Sequence, residues 1–265
     1  MRSLMEKSTF LLVSFITMML LFTGFADAAI DPESAVAIWL LDEGDGLVIE
    51  DATENGHEGN IQGAVNWVDG KFNLALEFSG ARIVVPDHEA LNFGDDKSFA
   101  VVLWFNFSTP QDWNRLIKER IEAPWGAGDH GWEIQTQGIE IDWTLDDKDG
   151  NHQIASYPGM GDGEWHHTAM IVDRDEKIMK CYMDGAVEKT ANIEFMGSVA
   201  DTLNVELGGG YAGLMDDVAI FKGTLELDDV VEIMNNGLDE TVLKGSAVSA
   251  LDKIASTWGR LKSLN

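Results

Sequence analysis

Recognition of a sugar ring asks for an aromatic face with hydrogen-bonding groups beside it, and one stretch of this sequence carries both. Residues 123–131 read Ala-Pro-Trp-Gly-Ala-Gly-Asp-His-Gly, a Gly-rich loop in which the Trp125 indole can stack on a sugar while Asp129 and His130 supply hydrogen bonds. Trp132 and Trp143, on the apolar runs that follow, complete a candidate ligand-binding set. The reactive side chains elsewhere offer less. Cys181 lies inside the apolar run 178–183, where a thiol acts as a small buried hydrophobe. His166 and His167 are adjacent, and neighbouring residues of a strand point to opposite faces, so they cannot reach one ion from the same side. His57, His88, His130 and His152 lack zinc-type spacing. Gly208-Gly209-Gly210 lacks the Lys-Ser/Thr that follows a phosphate-cradling loop and reads as a turn. No catalytic residue is expected from these constellations.

The elements that must position the candidates are short strands. From residue 35 to about 221 the chain breaks into apolar runs of five to nine residues separated by Gly-, Asp- and Asn-rich turns: 36–41, 74–78, 82–85, 99–107, 132–136, 139–145, 167–172, 178–183, 204–207 and 214–221. That spacing predicts an antiparallel all-β sandwich. Asp184-Gly185, between 178–183 and 187–193, is a hairpin turn signal. The run 99–107 is apolar at nearly every position, as a strand covered on both faces should be. Helix is expected only over 227–238, where apolar residues recur with a period near 3.6, and in the tail 246–264, whose stripe includes Leu251, Ile254, Trp258 and Leu261.

Composition limits the partners. The chain has 18 basic and 46 acidic residues, a net charge of −28. Nucleic acid and an anionic bilayer are polyanions that such a surface repels. One cysteine cannot build a disulfide framework. Arg2 and Lys7, the apolar stretch 10–25 and Ala26-Asp27-Ala28 form a secretory signal peptide pattern with cleavage expected after Ala28, retention as an anchor being the rival reading. The expected organisation is a signal peptide over 1–28, a sandwich over 29–240, and a linker with an amphipathic helical tail over 241–265. Lys253, Arg260 and Lys262 make that tail the only segment expected to touch a membrane.

The ordered motifs carry a resemblance. Trp39-Leu-Leu-Asp-Glu-Gly-Asp-Gly46, Asp51-Ala-Thr-Glu-Asn55-Gly56, Trp67-Val-Asp-Gly-Lys-Phe-Asn-Leu-Ala-Leu-Glu-Phe78, Ser98-Phe-Ala-Val-Val-Leu-Trp104, Gly163-Glu-Trp-His-His167, Tyr182-Met-Asp-Gly185 and Gly213-Leu-Met-Asp-Asp-Val-Ala-Ile-Phe221 resemble, in that order, the laminin-G-like, concanavalin A-like jelly-roll superfamily. The resemblance implies a two-sheet jelly roll closed by a short helix. It places Trp39, Trp104 and Trp165 in the core and leaves Trp113, Trp125, Trp132 and Trp143 unexplained. It also implies a structural calcium ion pinning the N-terminal loop to the closing strand, with Asp42, Glu43, Asp51, Asn55, Asp216 and Asp217 as candidate ligands.

The same fold hosts lectins, adhesion modules and glycoside hydrolases. Glu140-Ile-Asp142-Trp143 is similar to the start of the signature by which its glucanases set a nucleophile and an acid/base on one strand. Retaining hydrolysis needs two carboxyls about 5–5.5 Å apart, so the second acid should fall at 144 or 145. Those residues are Thr144 and Leu145. Asp146 stands roughly 20 Å along the strand from Glu140, and the acids read as solvent-facing. The expectation is therefore a secreted, periplasmic or cell-surface binding module for carbohydrate or a protein surface, without catalysis. A glycosidase of this fold and a purely structural adhesion protein are the alternatives.

Overall fold

The computed structural model describes residues 30–121 and 128–244. The signal pattern, Trp125 and the tail helix expected over 246–264 lie outside the described residues. Sixteen strands occur among those residues: β1 (Ala35–Trp39), β2 (Val48–Ile49), β3 (Gly59–Gln62), β4 (Val65–Asp69), β5 (Leu74–Ser79), β6 (Arg82–Val85), β7 (Phe99–Asn106), β8 (Gln111–Ile121), β9 (His130–Gly138), β10 (Glu140–Asp146), β11 (His152–Tyr157), β12 (His166–Asp173), β13 (Ile178–Met183), β14 (Ala186–Asn192), β15 (Val205–Gly208) and β16 (Ala212–Lys222). Helix α1 (Leu227–Leu238) and a π-helical turn (Asp239–Lys244) follow.

The strands form two antiparallel sheets. The first runs β14-β13-β12-β7-β16-β5-β4, with β1 also paired to β16, and the second runs β11-β10-β9-β8-β15-β6-β3-β2. Between them lies one apolar core that includes Trp39, Phe78, Leu103, Phe105, Trp132, Ile134, Trp143, Met170 and Ile220. Trp39 is fully buried and its indole Nε1 donates to the His57 carbonyl at 2.8 Å, which satisfies the one polar atom that burial would otherwise strand.

β7 is apolar on both sides because both sides are covered. Val101, Leu103 and Phe105 face the sheet-to-sheet core. Ala100 and Val102 belong to a second cluster under Val230, Ile233 and Leu238 of α1. Val242 joins that cluster, so the packed body continues past the boundary expected at residue 240. Among the described residues no helix is long and apolar enough to cross a membrane.

The β13–β14 hairpin turns where expected. Asp184 (φ 48°) and Gly185 (φ 76°) both take left-handed backbone, as a type I′ turn requires. A Cβ on Gly185 would also stand 3.1–3.3 Å from Met234 and Val231 of α1. Gly185→Ala is expected to cost about 1–2 kcal/mol, read as a fall of the urea midpoint with an unchanged slope.

Candidate functional site

β8 has the sequence QDWNRLIKERI, without the alternation of a half-buried strand, because its register against β9 breaks twice: between Asp112 and Asn114, and between Arg115 and Ile117. Each extra residue reverses which face the following side chains take. The first break leaves Trp113 opposite no partner, with φ 59° and 54% of its surface exposed. Left-handed backbone is strained for a bulky side chain and persists where the surroundings impose it. The second break buries Leu116 completely. It also brings Arg115, paired with Gln135, onto the same face as Lys118, paired with Glu133. Three residues apart on an unbroken strand, they would point to opposite faces.

Under Trp113 this face opens into a hollow of about 390 Å³, lined also by Arg115, Gln135, Thr144, His152 and Ile154. Gln135 Oε1 and Thr144 Oγ1 are buried there and have no hydrogen-bond partner within the protein. Polar atoms of that kind usually mark a structural or functional role. One guanidinium organises the far wall. Arg120 donates from Nε to Asp146 at 2.8 Å and from Nη2 to Asp129 at 2.8 Å, and its Nη1 stands 3.0 Å from Glu133. Asp146 in turn holds the His152 ring, with 2.5 Å between Oδ1 and Nδ1.

Asp142, expected to face solvent, is only 3% exposed. Burial pushes its carboxyl above the usual range, partly offset by a hydrogen bond with Ser156. Its cross-strand neighbour is Gln135, and Glu133 faces Thr144. The acid of raised pKa thus sits opposite an amide; Glu133 and Asp146 are ion-paired to Arg120, and Glu140, two residues away on the same strand face, adds a like charge that helps to raise Asp142.

The other sequence-derived candidates divide. Asp129 lines the hollow. His130 is turned away into a close contact with Asp201 and a 2.9 Å contact to the Gly128 carbonyl. Trp132 and Trp143 are corrected from ligand contacts to core: both are fully buried, and their indole N–H groups donate at 3.0 Å to Glu119 and Thr168. A strand in this sheet shows alternate residues to each side, and the indoles fall on the inner one. Trp113, Arg115, Lys118 and Ile154 escaped the sequence reading because β8 and β11 were not expected, and Gln135 because its strand was read for its apolar residues. The one available signal was a Trp inside a polar run.

Of the six residues expected to hold calcium, Asp42, Asp216 and Asp217 are near enough that the charge of Asp42 helps to raise both of the others, whereas Glu43, Asp51 and Asn55 are engaged elsewhere. Asp51 accepts from the Ile38, Thr53 and His57 backbone N–H groups and the Thr53 hydroxyl, tying the loop to β1. Asn55 donates to the carbonyls of Ala35 and Val36. Asp42 accepts from Asn73 and Leu74, and Glu43 from the Glu50 N–H. Asp216 accepts from the Phe72 N–H and Asp217 from the Leu238 N–H, which pins the end of α1. Asp216 Oδ1 is buried without a partner, yet calcium takes six to eight oxygens. Among the described residues no group of three or more His, Cys, Asp or Glu side chains is arranged to hold a metal ion.

The comparisons with known proteins agree with this architecture. A sequence profile described as "Concanavalin A-like lectin/glucanases superfamily" matches residues 79–231. The chain belongs to that superfamily. This superfamily member is also 20% identical over 201 residues to the non-toxic nonhemagglutinin of Paraclostridium bifermentans, covering 74% of this chain and 17% of that protein. Among solved structures it is similar to the binding domain of Paraclostridial Mosquitocidal Protein 1, with a TM-score of 0.63 and 15% identity over 77% of this chain and 52% of that one. It is likewise similar to the ligand-binding domain of botulinum neurotoxin serotype D in complex with N-acetylneuraminic acid, with a TM-score of 0.61 and 17% identity over 78% and 52%. The superfamily member thus spans about half the length of those solved chains and less than a fifth of the curated relative. At these identities the structural likeness concerns the fold.

Two outcomes are expected for the buried groups. Trp143→Ala should lower stability by about 3–5 kcal/mol in chemical unfolding, as a core substitution does. Burial pushes Asp216 up to about 8 and Asp217 up to about 7 from an ordinary 3.8. Between those values the folded state binds more protons than the unfolded, so stability from this pair is present near pH 4 and is lost as pH rises toward about 8. Melting temperatures should fall over pH 5–8 less steeply in Asp216→Asn than in the parent, and should be the same in excess calcium and excess chelator.

Proposed function

We propose that this domain is a non-catalytic carbohydrate-recognition module working outside the cytoplasm, with its ligand lying across the polar face of the second sheet. The observation that carries the reading is Trp113: a bulge in a central strand holds an indole in strained backbone and presents it to solvent above a hollow lined by unpartnered polar atoms. Bulges of this sort re-aim side chains beside functional sites. An aromatic face with nearby amide, hydroxyl and guanidinium groups suits a sugar ring. Here Gln135 and Thr144 are the hydrogen-bonding groups, and Ile154 extends the apolar contact. The sugar complex of one solved relative supports this class of ligand. The ion-pairing of Glu133 and Asp146 to Arg120 supports a site without hydrolysis. Calcium has no part in recognition on this reading.

The test is a polysaccharide panel assayed both for retention on affinity gels and for reducing-sugar release. Retention without release is expected, and release from any member would overturn the reading. Trp113→Ala should weaken the retained ligand about 10- to 100-fold, the equivalent of about 1.5–3 kcal/mol of lost aromatic burial. Its melting temperature should stay within about 2 °C of the parent, because an exposed side chain contributes little to stability.

A further inference from the structure

The polar atoms left over on β9 and β10 are all oxygens. Gln135 Oε1, Gln137 Oε1, Asp142 Oδ1 and Thr144 Oγ1 are buried and have no hydrogen-bond partner within the protein, and Gln135, Asp142 and Thr144 are only 2%, 3% and 1% exposed. Alternate residues of a strand share a face, so the four form one patch. The register joins them across the strands, with Gln135 opposite Asp142 and Gln137 opposite Glu140. Each of these oxygens can accept a hydrogen bond, and the two amide oxygens can do nothing else. A buried acceptor without a donor is costly, and four together ask for a ligand that brings N–H or O–H groups.

Charge points the same way. The guanidinium groups beside the hollow are already committed: Arg120 is surrounded by Asp129, Glu133 and Asp146, and Arg115 contacts Glu133 and donates to the Trp113 carbonyl. Glu140 and Asp142 differ. They stand two residues apart on one face of β10, about 7 Å along the strand, and among the described residues neither is ion-paired to a Lys or Arg. The charge of Glu140 and burial both act against ionisation of Asp142, which a cation placed between the two would reverse. Glu140 is half-buried and keeps contact with solvent, so the pair is open to a ligand from above.

From this arrangement, resting on the carbohydrate reading above, we infer that the acceptor patch is an ammonium subsite and that the preferred ligand is a glycan of N-unsubstituted amino sugars. One ring stacks on Trp113 while an ammonium group lies against Glu140, above Asp142, and neighbouring N–H and O–H groups reach Gln135 and Gln137. The spacing allows this. Trp113 bulges from β8 next to Asp112, which pairs with Gln137, and Gln137 pairs with Glu140, so two strand intervals, about 10 Å, separate the indole's backbone from the acid's. An exposed indole is also the best aromatic partner for a cation. The net charge of −28 speeds the encounter with any polycation but is spread over the whole surface. Only the patch combines free carboxyls, unpartnered acceptors and an aromatic face, so selectivity for the amine resides there.

The experiment compares β-1,4-linked oligomers of equal length: glucosamine, its fully N-acetylated form and glucose, with spermine as an amine that has no ring. They are titrated in about 0.15 M salt, at a pH where the amines are protonated, into the full chain, Trp113→Ala and the double variant Glu140→Gln/Asp142→Asn. A control, Glu54→Gln/Glu58→Gln, removes two exposed charges from the loop after β1. The glucosamine oligomer should bind at least about tenfold tighter than the acetylated and glucose forms. Glu140→Gln/Asp142→Asn should abolish that preference with an unchanged melting temperature, the control should keep it, and Trp113→Ala should weaken every oligomer. Equal affinity for the three oligomers, a preference that survives Glu140→Gln/Asp142→Asn, or one that falls as far in the control overturns the ammonium subsite and leaves the carbohydrate reading standing. Spermine bound as tightly as the glucosamine oligomer and indifferent to Trp113→Ala overturns the amino-sugar assignment. Absence of binding by all four probes overturns the subsite, and only failure across the wider polysaccharide panel overturns the carbohydrate reading.

Discussion

A regular strand sends alternate residues to opposite faces, and the candidate site of this domain depends on how β8 departs from that rule. Its two bulges divide eleven residues into three short stretches of different parity. The first break expels Trp113 and the second moves Leu116 into the core while aligning Arg115 with Lys118. Without them the aromatic face and the hollow beneath it would not share one surface. The bulges are tolerated because the strand is central, held by β9 along most of its length and by β15 on the other side. The β9 ladder runs on both sides of each break, and β15 adds two pairs at Ile117 and Lys118 just past the second.

A polar sheet face of this size carries an electrostatic cost, and Arg120 offsets much of it. Its five N–H donors reach three carboxylates from β9, β10 and the segment leading into β9, so negative groups that would repel one another surround one positive centre. The network leaves the hollow rigid on the acidic side. Gln135 and Thr144 keep uncommitted polar atoms on the other. The hollow thus has one wall locked by ion pairs and a floor with polar atoms open for hydrogen bonding.

The first sheet solves a different problem. Its outer face is apolar and lies under α1, and the closing contacts are made by buried carboxyls. Asp217, in left-handed backbone at a bulge of β16, accepts from the Leu238 N–H at the end of the helix. Asp216 beside it accepts from Phe72. The acids that the superfamily resemblance assigns to an ion act here as acceptors for backbone N–H groups, much as Asp51 does for the loop after β1.

Composition and order of motifs determined the class of this protein. Short apolar runs with Gly and Asp turns can form little besides an antiparallel sandwich, the uniform apolarity of 99–107 requires cover on both faces, and Asp184-Gly185 turns as its residue types demand. His166 and His167 took opposite faces for the same local reason, one at the surface edge beside Asp184 and one fully buried against Trp104. The candidate site was much less legible. An indole looks the same in sequence whether it packs inward, as Trp132 and Trp143 do, or outward, as Trp113 does, because parity depends on register and register on long-range pairing. β8 and β11 were invisible for that reason: bulges scramble the first, and the second owes its strand to pairing with β10. Which charged residues meet across β6, β15 and β8 was decided only by the tertiary structure, since Glu206 reaches Arg82 and Lys118 from far along the chain.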